Sequence, residues 1–366
     1  MTIKEAKNNG FSIRRQKRQF RSRYSPIGLD LGSNQIKMVQ LQHHRGTVTT
    51  RLSINTLTPP GTIVDGQIVK AEALIAKLKL VRTKLNLGEK TVNLALCPSV
   101  CNIQLVKLPP LTAREKQKVM YWEVEKRFSL NPADTIYDYY PARLNATGND
   151  QRDYILAVAA KDTADTYSEV MAEAGFTLAA LEALPLSLLR ANLFLADQSG
   201  NEIPKTLLIL DIGYRQSTLL IVHKRAYQFQ QTLNFGVANL IDLCVSNKTC
   251  SADQALRFLF RYSPASVSHL EAAYNRLAGQ IVRNTLYWFE KIGLDQSAPL
   301  GLMLSGGGAT IPQLGYYLSK NLNARLFYHQ LPLSNHKKDG QKNLCSATTQ
   351  SLFVTACGLA LRGWLA

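Results

Sequence analysis

Six cysteines are spread over 366 residues, at positions 97, 101, 244, 250, 345 and 357. They are too few and too scattered for a disulfide scaffold. Cys97 and Cys101 lack a second Cys or His pair at zinc-finger spacing, so buried free thiols are the simpler reading. No stretch supplies the ~20 apolar residues that a membrane-spanning helix needs. The N-terminus has no apolar core of a secretion signal. Both absences lead to the expectation of a cytoplasmic protein that touches a membrane without crossing it. No Gly-x-x-x-x-Gly-Lys-Ser/Thr occurs, which excludes P-loop chemistry. His43 and His44 adjoin on a strand and so point to opposite faces, which excludes a paired metal site. Acid is scarce: 43 Lys and Arg stand against 26 Asp and Glu, a formal charge of +17 that calls for an acidic partner or surface. A hydrophobic share of 46% with 19% charged residues still marks a folded chain. Its length allows about two domains.

Residues 1–25 read as a separate tail. Lys4, Lys7, Arg14, Arg15, Lys17, Arg18, Arg21 and Arg23 oppose one acid, Glu5. Three readings stand for it: a solvated tail, contact with an anionic membrane or acidic partner, and nucleic-acid binding. Phe11, Ile13, Phe20 and Tyr24 can insert into a bilayer if the segment becomes helical.

What organises the rest is a repeated turn. In Ile27-Gly28-Leu29-Asp30-Leu31-Gly32-Ser33-Asn34-Gln35-Ile36-Lys37 an apolar strand leads into Asp-x-Gly-Ser, and an alternating strand leads out. Gly32 permits a sharp turn, Ser33 offers a hydroxyl to a phosphate oxygen, and Asp30 places a hard oxygen ligand at the strand end. The plan recurs in Leu210-Asp211-Ile212-Gly213-Tyr214-Arg215, half a chain later, which implies two similar halves. A third site, Leu304-Ser305-Gly306-Gly307-Gly308-Ala309, reads as a buried strand, a glycine turn and a helix with Pro312 in its first turn. Adjacent glycines let backbone pack on a flat ligand such as a purine, and a helix N-terminus favours an anion.

The expected organisation is a first domain over 26–200, a second over 201–345, and a C-terminal helix over 346–366 that returns to the first. Ala71 to Leu85 reads as a helix with Leu74, Ile75, Leu78 and Val81 inward. Residues from about 90 to 175 read as an inserted unit of order β-β-α-β-β-α, beginning with Val92 to Cys97. Its first helix opens on the capping box Thr112/Glu115, and its second is capped by Asp162 or Thr163. A long helix over 267–292 places Leu270, Ala273, Tyr274, Leu277, Ile281, Leu286 and Phe289 near one core face, with Trp288 also buried.

Two Asp-x-Gly hairpins followed by strand-Gly-Gly-Gly-helix resemble the two phosphate loops and the adenosine loop of the actin-like ATPase superfamily. Within it the chain resembles the PilM branch of type IV pilus assembly proteins or its MSHA-pilus counterpart. Tyr121-Trp122-Glu123-Val124-Glu125-Lys126-Arg127-Phe128, Asp153 to Asp162, Glu173-Ala174-Gly175-Phe176 and the ending Ala356 to Arg362 carry that narrower likeness. The resemblance implies an α/β actin-like fold: two duplicated ribonuclease H-like domains with a small inserted α/β subdomain. It implies ATP or ADP with Mg²⁺ as cofactors. Ser33, Asn34 and Gln35, with Lys37, would hold the β- and γ-phosphates, and Asp30 and Asp211 would face each other across Mg²⁺. Gly213, Tyr214 and Arg215 would form the second phosphate loop, Gly236 a glycine turn near the nucleotide, and Gly306, Gly307 and Gly308 the adenosine contact. It also implies a PilN-like inner-membrane protein as partner, through its cytoplasmic N-terminal peptide, together with other pilus platform proteins, at the cytoplasmic side of the inner membrane.

Two departures bear on catalysis. Many actin-like proteins carry Ala-Glu-x-x-Lys where this chain has Ala252-Asp253-Gln254-Ala255-Leu256-Arg257-Phe258-Leu259, with Leu256 and Leu259 at the charged positions. Hydrolysis also needs a polar residue to orient water, and only Glu182 and Ser187 stand near the expected place. The expectation is nucleotide binding with slow turnover or none. A scaffold with a relic site and a small-molecule kinase on the same framework are the alternatives. Head-to-tail stacking is a property of such domains that nothing in this chain demonstrates.

Overall fold

A computed structural model describes residues 22–364 other than 46, 85–89, 143–151, 201, 249, 262–267, 294–297, 313, 329–330 and 332–349. Nearly all of the basic tail, the loop around 145–150, the polar loop 335–343 and Cys345 therefore lie outside the described residues.

Two five-stranded sheets share one topology. In the first, β1 (Ile27–Leu31), β2 (Gln35–His44) and β3 (Thr47–Leu57) form an antiparallel meander. A small hairpin, β4 (Ile63–Val64) and β5 (Gln67–Ile68), and helix α1 (Ala71–Lys84) follow. Strand β6 (Thr91–Leu96) then joins β1 in parallel. The small sheet β7 (Cys101–Leu108), β8 (Thr135–Pro141), β9 (Arg152–Ala160) carries α2 (Ala113–Phe128). After α3 (Lys161–Glu173), strand β10 (Thr177–Ala183) closes the first sheet beside β6, in the order β10-β6-β1-β2-β3. Helix α4 (Leu184–Ser199) leads to the second half.

There β11 (Thr206–Ile212), β12 (Ser217–His223) and β13 (Ala226–Leu233) repeat the meander. Helices α5 (Val237–Lys248), α6 (Ala252–Arg261) and α7 (Ser268–Ile292) precede β14 (Leu300–Ser305), which pairs in parallel with β11. Helix α8 (Leu314–Leu322) crosses over to β15 (Ala324–Phe327), parallel to β14. Three antiparallel strands followed by two parallel ones in each sheet are the structural form of the sequence repeat.

The inserted unit is smaller than the sequence pattern implied. Val92 to Cys97 was expected within it, yet β6 lies in the middle of the first sheet. A fully buried run such as Val92–Leu96 is what a parallel strand covered on both faces requires. The observed insertion is a three-stranded sheet with α2 over a core of Val106, Met120, Val124, Tyr154, Leu156 and Val158. Helix α3 packs on α1 and β10, and Tyr167 Oη donates to the carbonyl of Gly66 at 2.8 Å. It starts at Lys161 after Ala160, without the side-chain cap expected from Asp162 or Thr163. The capping box at Thr112 and Glu115 is formed. On α7, Trp288 and Phe289 are buried, but Leu286 faces solvent. Among the described residues Cys97, Cys101, Cys244, Cys250 and Cys357 form no disulfide, and burial pushes the Cys101 thiol up to about 12, which makes it inert.

The final helix, α9 (Val354–Leu361), packs against α4, β1 and β2. This approach demands glycine at two places. A Cβ on Gly28 would sit 1.8 Å from the Ala356 carbonyl oxygen, and one on Gly358 would sit 2.0 Å from that of Ser187. Asn93 Nδ2 donates to the Leu359 carbonyl at 2.9 Å, and Trp364 Nε1 to that of Ser22, also at 2.9 Å. Gly358→Ala should therefore cost about 3 kcal/mol. Gly307→Ala, where a Cβ meets nothing within 4 Å, should cost a small fraction of that. Urea denaturation of the two variants is the check.

Candidate functional site

The two turns are built alike. Gly32 N–H donates to the Gln35 carbonyl and Gly213 N–H to that of Gln216, each at 3.0 Å. A Cβ would meet those same carbonyl oxygens at 2.9 and 2.5 Å, so glycine is required in both. The first turn is pinned from outside by Thr58, whose N–H reaches the Asn34 carbonyl at 3.0 Å and whose Oγ1 reaches that of Gly32 at 2.7 Å. Thr58 directly follows β3, whose last residue Leu57 pairs with Gln35 at the start of β2. The N–H groups of Ser33 and Asn34 enter no main-chain bond among the described residues. They remain as half-buried donors at the mouth of the turn.

The structure brings three of the expected charged residues together. Lys37 Nζ lies 2.9 Å from Asp30 Oδ2, with both side chains largely buried. Asp211 belongs to the other half, yet it responds to both of them. Burial first, and then the Asp30 carboxylate, raise the Asp211 pKa, while Lys37 and the Ser305 hydroxyl oppose the rise. Lys37 shows the converse: burial works to lower its pKa, but Asp30 and Asp211 together raise it. Lys37 and Asp30 thus pair within the first half, and both bear on Asp211 from the second. Ser305 Oγ donates to Asp211 Oδ1 at 2.8 Å. Ser305 was not singled out from sequence, although it stands directly before the glycine run.

The three glycines divide by role. Gly306 has φ +81°, and a Cβ there would approach the Ile212 carbonyl oxygen at 2.5 Å and Asp211 Oδ1 at 3.0 Å. A Cβ on Gly308 would strike Ile212 Cγ2 at 2.2 Å. Both are explained by packing on the second turn. Only Gly307 opens to free space. Gly306 N–H donates to the Ser351 carbonyl at 3.0 Å, which ties this loop to the segment preceding α9. The loop continues as a 3₁₀ turn, Gly307–Thr310, and α8 begins only at Leu314. Pro312 therefore precedes that helix rather than lying in its first turn. Gly236 packs on the Tyr214 carbonyl oxygen, where a Cβ would lie at 2.4 Å, and its N–H goes to Asn239 Oδ1 at 2.8 Å. Tyr214 is half-buried and Arg215 is exposed beside the second turn.

Glu182 departs from its expected part. Arg190 grips both its oxygens, Nη1 at 2.7 Å from Oε2 and Nη2 on Oε1, and Arg362 Nη1 reaches Oε1 at 2.7 Å. Arg190 also donates to the Gly358 carbonyl at 2.8 Å. A buried carboxylate so committed fastens α9 to the first half, with three of its roughly four acceptor sites taken by guanidinium donors. Ser187 is buried, and its hydroxyl donates to the Leu184 carbonyl at 2.8 Å. Arg362 lies 180 positions from Glu182 in sequence, which hid the ion cluster.

Asp30 and Asp211 suit a divalent cation, because such an ion relieves the burial and the Asp30 charge that both disfavour ionised Asp211. Among the described residues no group of three or more His, Cys, Asp or Glu gathers. That fits Mg²⁺, which takes one or two carboxylates and fills its remaining positions with water and phosphate.

Two opposite pH dependences follow. The Glu182 carboxyl is drawn down by Arg190 and Arg362 against its burial, so its contribution to stability is complete above the ordinary Glu value and is lost as pH falls through the depressed one. Asp211 is raised, so the folded state is favoured while it is protonated and loses that advantage as pH rises through the raised value. At neutral pH without nucleotide, Asp211→Asn should melt higher than the parent. Glu182→Gln should lose about 3 kcal/mol, because the buried Arg190 and half-buried Arg362 guanidinium groups lose their charge partner. Melting curves from acid to neutral pH test both signs.

Among solved structures, the chain resembles the PilM-PilN type IV pilus biogenesis complex, with a TM-score of 0.79 and 21% identity over 93% of this chain and 99% of that one. It also resembles the ethanolamine utilization protein EutJ from Carboxydothermus hydrogenoformans, with a TM-score of 0.55 and 16% identity over 93% of this chain and 90% of that one. The fold is the actin-like ATPase fold. The family model described as type IV pilus assembly protein PilM matches residues 28–364. With nearly the whole described chain inside that match, the protein belongs to the family of type IV pilus assembly protein PilM.

Proposed function

We propose that this PilM-family chain is a nucleotide-binding assembly protein, holding ATP or ADP with Mg²⁺ between its two halves. The observation that carries the reading is the coupling of Asp30, Lys37 and Asp211 across the cleft. Asp30 and Asp211 would hold the cation, which neutralises phosphate charge when bound. The N–H groups of Ser33 and Asn34, the Ser33 hydroxyl and Lys37 would hold phosphates from one side. Gly213, Tyr214 and Arg215 would do so from the other, with Gly307 against the base or ribose. Because the two turns belong to different halves, occupancy favours the arrangement in which both reach the ligand.

The chain's own residues argue for binding without fast turnover. Glu182 and Ser187, the two polar groups expected near the attacking water, are both consumed by internal bonds. Leu259 is fully buried and Leu256 half-exposed where charged side chains would otherwise reach ribose or base. That last feature also favours a second reading, a scaffold whose cleft is a relic. A PilN-like membrane protein is the proposed partner, its cytoplasmic peptide docking beside the inserted unit. It would place the chain at the cytoplasmic face of the inner membrane with other pilus platform proteins.

Calorimetric titration of the purified protein with Mg–ATP tests the reading. Micromolar binding is expected, weakened at least about tenfold in Asp30→Ala, as loss of one charged contact requires, and abolished in Gly307→Arg. Absence of binding by the parent protein would leave the scaffold reading.

A further inference from the structure

The opposite end of the first sheet carries a basic pole that the cleft does not explain. Strand β1 is extended backwards by Arg23, Tyr24 and Ser25: His43 N–H donates to the Arg23 carbonyl at 2.9 Å, and Tyr24 bridges Gln42. The Tyr24 ring has the Arg23 guanidinium 5.3 Å and the Arg51 guanidinium 4.4 Å from its centroid. The expected insertion of Tyr24 into a bilayer is therefore superseded, since the ring is half-buried and stacked. Arg51 is held further by Gln40 Oε1 at 2.9 Å. At the β2–β3 turn Arg45 is exposed at φ +49°. From Ser22 to Val64 the only acidic residue is Asp30, at the far end in the cleft, so nothing in this hairpin offsets its cations. At this pole the described chain begins. Seven further basic residues against the single Glu5 precede Ser22, interleaved with Phe11, Ile13 and Phe20.

We propose that the pole formed by Arg23, Arg45 and Arg51 docks on an anionic phospholipid bilayer, with the nucleotide cleft turned away from the lipid. The inference deepens the membrane-peripheral part of the proposed function and does not depend on nucleotide. Charge complementarity supports it, together with the 21 residues of chain that enter at the same point. A polybasic patch combined with apolar residues that reach the acyl boundary is the two-signal arrangement stable peripheral binding needs. A bilayer is favoured over nucleic acid because the apolar Phe11, Ile13 and Phe20 interleaved with the cations add apolar area to the attraction for anionic lipid. The orientation follows from strand geometry. Asp30 lies six residues beyond Tyr24, about 20 Å along an extended strand, which leaves the cleft and the inserted unit on the cytoplasmic side.

The test is co-sedimentation of the full chain, without nucleotide or partner peptide, with phosphatidylglycerol-containing vesicles and with phosphatidylcholine vesicles alone. Binding to the first and not the second is expected, weakening as salt is raised. Arg45→Glu should bind about fivefold more weakly, and Arg45→Glu/Arg51→Glu at least about tenfold more weakly, as loss of surface cations requires. Lys126→Glu, on the exposed face of α2, should bind like the parent. Arg45 is exposed at the turn, so its single variant guards against misfolding of the double one. No binding to anionic vesicles, equal binding by the Arg45 and Arg51 variants, or tighter capture by duplex DNA or RNA at the same salt would each overturn the proposal. None of these results would touch the nucleotide reading.

Discussion

The Asp30 carboxylate of one half acts on the Asp211 carboxylate of the other, raising its pKa beyond what burial alone does. Left alone they would repel, and Lys37 alone does not bring Asp211 back to its ordinary proton affinity. Much of the surrounding structure serves to maintain this unfavourable arrangement. The paired glycine turns aim the strand ends, Thr58 fixes the first turn, and Ser305 fixes Asp211 itself. A charge cluster of this kind, with a carboxylate shifted by burial and a specific charged neighbour, is what the proposed binding site rests on.

The C-terminal helix is the mechanical counterpart of that cluster. It returns to the first half through contacts close enough to demand Gly28 and Gly358, and the Glu182–Arg190–Arg362 ion cluster locks it there. The segment just before it accepts a hydrogen bond from Gly306 in the second half. The glycine loop, the far end of the chain and the first sheet are thus physically continuous. Core residues from both halves, among them Leu188, Ile209, Leu220 and Tyr227, pack in one cluster. The two halves therefore form a connected body rather than two loosely tethered units.

The duplicated architecture was legible because each half announces itself with the same local device, an apolar strand ending in Asp-x-Gly. The positions of Asp30, Lys37, Asp211 and the glycine run were legible for the same reason. What escaped was set by contacts distant in sequence. The extent of the insertion was misjudged at Val92–Leu96, since an apolar run alone does not reveal which sheet will flank it. Glu182 resembled a free acid until Arg362 arrived from 180 positions away. Gly306 and Gly308 pointed to a ligand, but their space is filled by Ile212, which no local pattern reveals.

The claim at the centre is that both Asp-x-Gly turns serve one nucleotide. A crystal structure of the protein grown with Mg²⁺ and a non-hydrolysable ATP analogue tests it most directly. The prediction is a single nucleotide between the halves. Its cation should lie between Asp30 and Asp211, its phosphates against Ser33–Asn34 and Tyr214–Arg215, and its base or ribose over Gly307. A nucleotide held by one half only, or an empty cleft at saturating ligand with Lys37 still paired to Asp30, would contradict it.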